Sequence, residues 1–220
     1  MQTNKICKLS TKDNQVWFTS DTHFSHYNII KYCDRPYKNI QDMNDNIIKS
    51  WNSVVGKNDI VFHLGDFGFA SISTLQSIRN QLNGKIYLIR GNHDWKTINR
   101  CNEHIFDGVY QQLTIQVDGQ RIYLNHYPYL CFSGSNRWGK NSVWELFGHV
   151  HSKPNMKGTD KSRLVMLYPT QYDVGVDNND YRPISFNEVK EKINKQITFC
   201  KSWKYNIISK IIRLIFKMLV

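Results

Sequence analysis

Asp21 and His23, Asp66, Asn92 with His93, His126, and His149 with His151 each follow a short apolar run, where a strand would end. The stretch from Lys85 to Asp94, K-I-Y-L-I-R-G-N-H-D, shows the arrangement in full. Its β-branched and aromatic residues 86–89 read as a buried strand, Gly91 breaks the run, and an amide, an imidazole and a carboxylate follow. An amide oxygen at Asn92 suits a metal ligand, His93 suits a general acid, and Asp94 suits its orienting partner or a cap on the following turn. At any single strand end the alternative is an ordinary polar turn. Asp21-x-His23 and His149-x-His151 place two side chains on one side of extended backbone, so each pair could reach a common ion. Seven ligands for two metal ions can be drawn from the set, with Asp66 able to bridge them and His93 left for acid–base work.

Elements must deliver these side chains. Residues 15–19 form a short strand, residues 59–67 a second, and 85–89 a third, with helices between them. Asn39 is the expected N-cap of a helix whose Ile40, Met43, Ile47, Ile48, Trp51 and Val55 recur at helical spacing. Ser73 with Gln76 has the pattern of a capping box for the next helix. The alternation argues for an α/β layered sheet. A hairpin follows, 113–117 and 121–125 joined by Asp118-Gly119, then strands at 144–147, 164–167 and 172–176. Residues 183–195 connect into a final helix. His63, inside its apolar run, reads as a satisfied core histidine, with a site role as the alternative.

Length and composition set the class. The 220 residues suffice for one sizeable core, and no apolar run is long enough to span a membrane or to act as a signal peptide, which leads to the expectation of a cytoplasmic protein. Five scattered cysteines never form a C-x-x-C pair, arguing against both a disulfide framework and a zinc–thiolate site. Of the net charge of +11, six basic residues lie at 195–220 with no acidic residue among them, leaving a mildly basic body. That body is compatible with an anionic substrate, and a compositional bias is the alternative. The expectation is one folded domain at 1–194, followed by a basic amphipathic helix or tail at 195–220. In the tail, Lys210, Arg213 and Lys217 form a stripe opposite an apolar face, suited to packing, self-association or peripheral contact with an anionic membrane.

Taken in order, D-x-H, G-D, G-N-H-D, a lone His and G-H-x-H closely resemble the calcineurin-like metallophosphoesterase superfamily over residues 16 to about 190. The resemblance implies a metallo-dependent phosphatase fold: a two-sheet β-sandwich flanked by helices, with a dinuclear site at the strand ends. It assigns one ion to Asp21, His23, Asp66 and His151, and the other to Asp66, Asn92, His126 and His149. Nitrogen and oxygen ligands without thiolate suit Mn²⁺, the first expectation, and also Fe or Zn²⁺. A bridging hydroxide would attack phosphorus in line while His93 protonates the leaving oxygen.

Departures narrow the substrate. Asp66 is followed by Phe67-Gly68-Phe69-Ala70, unlike the G-D-x-V-D-R-G of the protein serine/threonine phosphatases. No tyrosine stands where purple acid phosphatases carry a ligand, and His93 replaces the arginine of the lipid A pathway pyrophosphatases. The first motif, D-T-H-F-S-H-Y-N-I-I-K-Y, is similar to compact bacterial and phage phosphoesterases. Arg137 and Lys140 could meet a phosphate, Trp138 could stack a base, and His26 could touch a phosphate oxygen; a solvated loop and a surface histidine are the alternatives. The expected activity is a phosphodiesterase on a nucleotide or short nucleic acid. The rivals are a monoesterase on a small metabolite, a nuclease, and a non-catalytic scaffold.

Overall fold

Val16 and Phe18 point to one side of their strand and Trp17 to the other, and this alternation, repeated in neighbouring strands, builds two separate cores. In the computed structural model, residues 7–98, 103–139, 141–152, 164 and 166–218 are described, with backbone alone from 203 onward. Strands β2 (Val16–Thr19), β3 (Ile60–His63), β4 (Lys85–Ile89) and β5 (Gly108–Tyr110) run parallel. The antiparallel β10 (Ile184–Ser185) completes this sheet in the order β10-β2-β3-β4-β5. The second sheet takes β1 (Cys7–Leu9), β6 (Leu113–Val117), β7 (Gln120–Leu124), β8 (Trp144–Phe147) and β9 (Gln171–Asp173) in the order β1-β6-β7-β8-β9. Only its β6–β7 hairpin is antiparallel, so both sheets are mixed.

The first core lies between the sheets. Phe18, Phe62, Leu64 and Ile89 meet Ile115, Ile122, Leu124 and Leu146 there. Helix α4 (Phe186–Met218) adds Phe186, Val189, Ile193 and Ile197 along one stripe. The second core covers the outer face of the first sheet. Val61, Ile86 and Leu88 pack there with Ile29 of α1 (Tyr27–Tyr32), Met43, Ile47 and Trp51 of α2 (Ile40–Val54), and Leu75 and Ile78 of α3 (Ile72–Arg79). The fold is thus an α/β arrangement of two mixed sheets with flanking helices.

Asn39 caps α2 as its sequence implies, accepting from the Asp42 amide. The cap of α3 is Ser71, whose side chain accepts from the Thr74 amide, and Ser73 already lies in the first turn. The expected strand at 164–167 is absent where described: Leu164 is helical, Met166 and Leu167 lie in a turn and a bend, and Gln171 Oε1 receives the Tyr168 amide just before β9. That strand stops at Asp173, because Gly175 opens a 3₁₀ turn at Val176–Asn178. The last helix starts at Phe186, so the connection before it is shorter than 183–195, and position 195 lies inside the helix. The side chains of the basic stripe, Lys210, Arg213 and Lys217, lie outside the described residues, as does Lys140. No helix among the described residues is long and apolar enough to cross a membrane.

Candidate metal centre

Because β2, β3 and β4 are parallel, as are β7, β8 and β9, the carboxyl ends of six strands meet at one edge of the two sheets. Asp21 and His23 follow β2, Asp66 follows β3, Asn92 to Asp94 follow β4, His126 follows β7, and His149 and His151 follow β8. The backbone there is unusual. Asp21, His23, Asp66, His149 and His151 all have positive φ, between 47° and 70°. Non-glycine residues seldom adopt this left-handed conformation, and it concentrates where function fixes the backbone. Two glycines permit the close approach. A methyl on Gly91 would lie 2.2 Å from Asp66 Oδ1, and one on Gly148 would lie 2.0 Å from Ser20 Oγ.

Each carboxylate divides its oxygens between two tasks. Asp21 Oδ2 accepts from the His149 amide at 2.9 Å, leaving Oδ1 4.0 Å from His23 Nε2 and 3.8 Å from His151 Nε2. Asp66 Oδ1 accepts from the His93 amide at 2.9 Å, leaving Oδ2 3.6 Å from His23 Nε2 and 3.5 Å from His126 Nε2. Asn92 Oδ1 receives His126 Nε2 and His149 Nδ1, each at 3.1 Å, with the Tyr127 hydroxyl at 3.4 Å. Two clusters suited to a cation result, Asp21–His23–His151 and Asp66–His126–His149.

The donor set fits divalent ions. Asp21 Oδ1 and His23 Nε2 are buried, point into the first cluster, and have no hydrogen-bond partner among the described residues. Unpaired buried polar atoms are costly, and a cation there would satisfy both. Protonation points the same way. Burial alone would lower the His151 pKa, yet the Asp21 charge and the Asp177 hydrogen bond outweigh it and hold the imidazole at about 11. For His126, burial is outweighed by the Asp66 hydrogen bond and the Asp21 charge, giving about 9. His23 and His149 are lowered, chiefly by burial. Each cluster therefore pairs an imidazole whose carboxylate neighbours favour its charged form with one whose burial favours the neutral form.

Other expected site residues divide. His93 is half-buried at the cluster, its ring 5.4 Å from that of His23. Asp94 does not orient it. Its Oδ2 accepts from the amides of Asp66 and Gly91, and its Oδ1 from that of Phe67, so the carboxylate straps two strand-end loops together. His26 places Nδ1 3.2 Å from His23 Nδ1 and stacks on the exposed Phe69. Trp138 packs against the inter-sheet core, and Arg137 is exposed on the loop before it. His63 is a core histidine, its Nε2 2.9 Å from Thr22 Oγ1.

The sequence reading passed over Phe69, Tyr127, Arg35 and Asp177. Of these, Asp177 could have been found, since it follows β9 as the candidate ligands follow their strands. A third group suited to a cation, Cys33–His151–Asp177, shares His151 through its Nδ1. Asp177 in this group is already ion-paired with the Arg35 guanidinium.

The sequence matches the Calcineurin-like phosphoesterase superfamily domain over residues 15–169. It is 32% identical over 187 residues to an uncharacterised protein of Methanocaldococcus jannaschii, covering 82% of this chain and 92% of that one. To the Gene 66 protein of Mycobacterium phage D29 it is 28% identical over 207 residues, covering 82% and 96%. A crystal structure of a protein of unknown function from Aquifex aeolicus superposes with a TM-score of 0.60 at 28% identity, covering 81% of this chain and 98% of that one. The chain belongs to the calcineurin-like phosphoesterase superfamily.

Proposed function

We propose that this protein is a metal-dependent phosphohydrolase that works with two divalent ions, manganese first among them, and cleaves phosphodiesters of a nucleotide or short nucleic acid. Asp21, His23, Asp66 and His151 would hold one ion, and Asp66, Asn92, His126 and His149 the other. The observation that carries the reading is Asp66 Oδ2, a single carboxylate oxygen about equally far from His23 Nε2 in one cluster and His126 Nε2 in the other, at 3.6 and 3.5 Å. When bound, such ions polarise a phosphoryl oxygen and make a water acidic enough to lose its proton near neutral pH.

The chain's own residues do the rest. His93 is anchored through its amide to Asp66, and its ring lies between those of His23 and Phe69, at 5.4 and 5.8 Å. From there it donates a proton to the departing ester oxygen. Phe69 and Tyr127 are exposed, one near each cluster: Phe69 packs on His26 and His93, and Tyr127 on His149. These faces, rather than Trp138, are placed to stack a base, a contact worth about 1–3 kcal/mol.

The test is turnover of bis-p-nitrophenyl phosphate against p-nitrophenyl phosphate with added Mn²⁺, with metal content measured alongside. The parent is expected to prefer the diester, Asp66→Asn to lose both metal and turnover, and His93→Ala to keep its metal while slowing by roughly 10²–10⁴-fold. A monoester preference would overturn the diesterase assignment. A parent that takes up no metal would overturn the phosphohydrolase reading itself.

A further inference from the structure

Behind the first cluster stands a charged pair, Arg35 and Asp177, that belongs to neither the Asp21–His23–His151 nor the Asp66–His126–His149 cluster. Arg35 follows α1, and its side chain and that of Asp177 are fully shielded from solvent. The guanidinium binds Asp177 with both prongs, Nε to Oδ1 at 2.9 Å and Nη2 to Oδ2 at 2.8 Å. The same Oδ2 meets His151 Nδ1 at 2.7 Å. Arg35 also donates from Nη2 to the Asp21 carbonyl at 2.7 Å and from Nη1 to the Thr22 carbonyl at 2.9 Å.

A buried ion pair is poor value as a stabiliser, because removing two charges from water offsets most of their attraction, and apolar packing would serve as well. What this pair does supply is orientation. With Nδ1–H held by Asp177, the His151 ring has one direction, its Nε2 faces Asp21, and one tautomer is left when that nitrogen gives up its proton. The two carbonyls held by Arg35 belong to the peptides linking Asp21, Thr22 and His23, at the turn where Asp21 and His23 take φ of 56° and 49°. Every member of the Asp21–His23–His151 cluster is thus braced by one guanidinium, directly or through one carboxylate. Among the described residues, no hydrogen bond or ion pair joins Arg35 or Asp177 to Asp66, Asn92, His126 or His149.

We propose that Arg35, acting with Asp177, is a positioning residue dedicated to one ion site: it sets the affinity of the Asp21–His23–His151 site and leaves the other unaffected. This inference rests on the two-ion reading above.

The test titrates metal-free full-length protein with Mn²⁺ by calorimetry and equilibrium dialysis, and records the visible spectrum with Co²⁺. Arg35→Lys keeps the charge and loses the fork; Asp177→Asn keeps the shape and loses the charge. In both variants one site is expected to weaken by about 10–100-fold while the other keeps the parent affinity. The Co²⁺ bands of the weakened site should change, and the double variant should be no worse than the poorer single one. Parent-like affinity at both sites, or equal weakening of the two, would overturn the inference. So would variants whose metal-free form melts lower, or fails to fold, with no site-selective change in those that do fold, since that is a purely structural role. A parent that binds fewer than two ions would instead overturn the two-ion reading.

Discussion

His63 shows how one buried side chain can set a pH limit. Thr22 Oγ1 donates to the Phe67 carbonyl, so it accepts from His63 Nε2–H, and the ring is neutral. Burial pushes its pKa from 6.5 down to about 3. Below pH 6.5 the unfolded chain takes up a proton that the folded one refuses until about pH 3, so stability falls as the pH falls through that window. From pH 6.5 to 5 the loss amounts to roughly 2 kcal/mol. Urea unfolding of the metal-free protein at pH 7 and 5 should show the parent faring roughly 2 kcal/mol worse than His63→Gln in its response to acid; an identical pH response in the two would refute the account. Backbone conformation also guides the choice of substitutions at the ligands. Alanine at Asp21 or His151 would remove a ligand and also place a residue averse to positive φ there, an added cost of roughly 1–2 kcal/mol. Asparagine tolerates that conformation and removes only the charge or the ring.

At the scale of elements, the site residues were legible and their supports were not. Asp66, Asn92 and His149 each follow a glycine at a strand end, a local signal, and Gly91 and Gly148 prove to be where loops pass within reach of a Cβ. Gly148→Ala should therefore sharply weaken metal binding while the helical circular dichroism persists, and undiminished binding would contradict the close approach. Strands β1, β5 and β10, of three, three and two residues, are too short to show an alternation. Arg35 and Asp177 are 142 residues apart, and nothing local links them. The capping box expected at Ser73 and Gln76 shares its pattern with S-x-x-E at 185–188, which the sequence reading passed over. The true box is the latter: Ser185 Oγ accepts from the Glu188 amide, and Glu188 Oε2 accepts from the Ser185 amide. Burial would raise the Glu188 pKa, but the Arg182 and Ser185 hydrogen bonds lower it to about 2. The cap's contribution is therefore complete above pH 4.5 and lost as the pH falls through about 2. Glu188→Ala should cost about 1 kcal/mol at pH 7, with the difference disappearing toward pH 2.

For the whole molecule, metal binding at the two clusters would be coupled to folding through protons. The raised pKa values of His126, about 9, and His151, about 11, stabilise the metal-free protein fully below pH 6.5, and that contribution fades as the pH rises toward them. Ions bound at these clusters would have to displace the same protons, so their affinity should rise over the same range. The gain in Tm on adding Mn²⁺ should grow between pH 6.5 and 9; a gain that shrinks would contradict the charge states of the clusters. The sheet topology adds a mechanical consequence. Asp21, His23, Asp66 and Asn92 extend from one sheet, and His126, His149 and His151 from the other, so each cluster draws on both. An ion in either cluster would act as a clasp across the sandwich, and stripping it should loosen the strand-end loops while the ladders persist, an opening that amide exchange would register first at the amides of Asp21, His23 and His149.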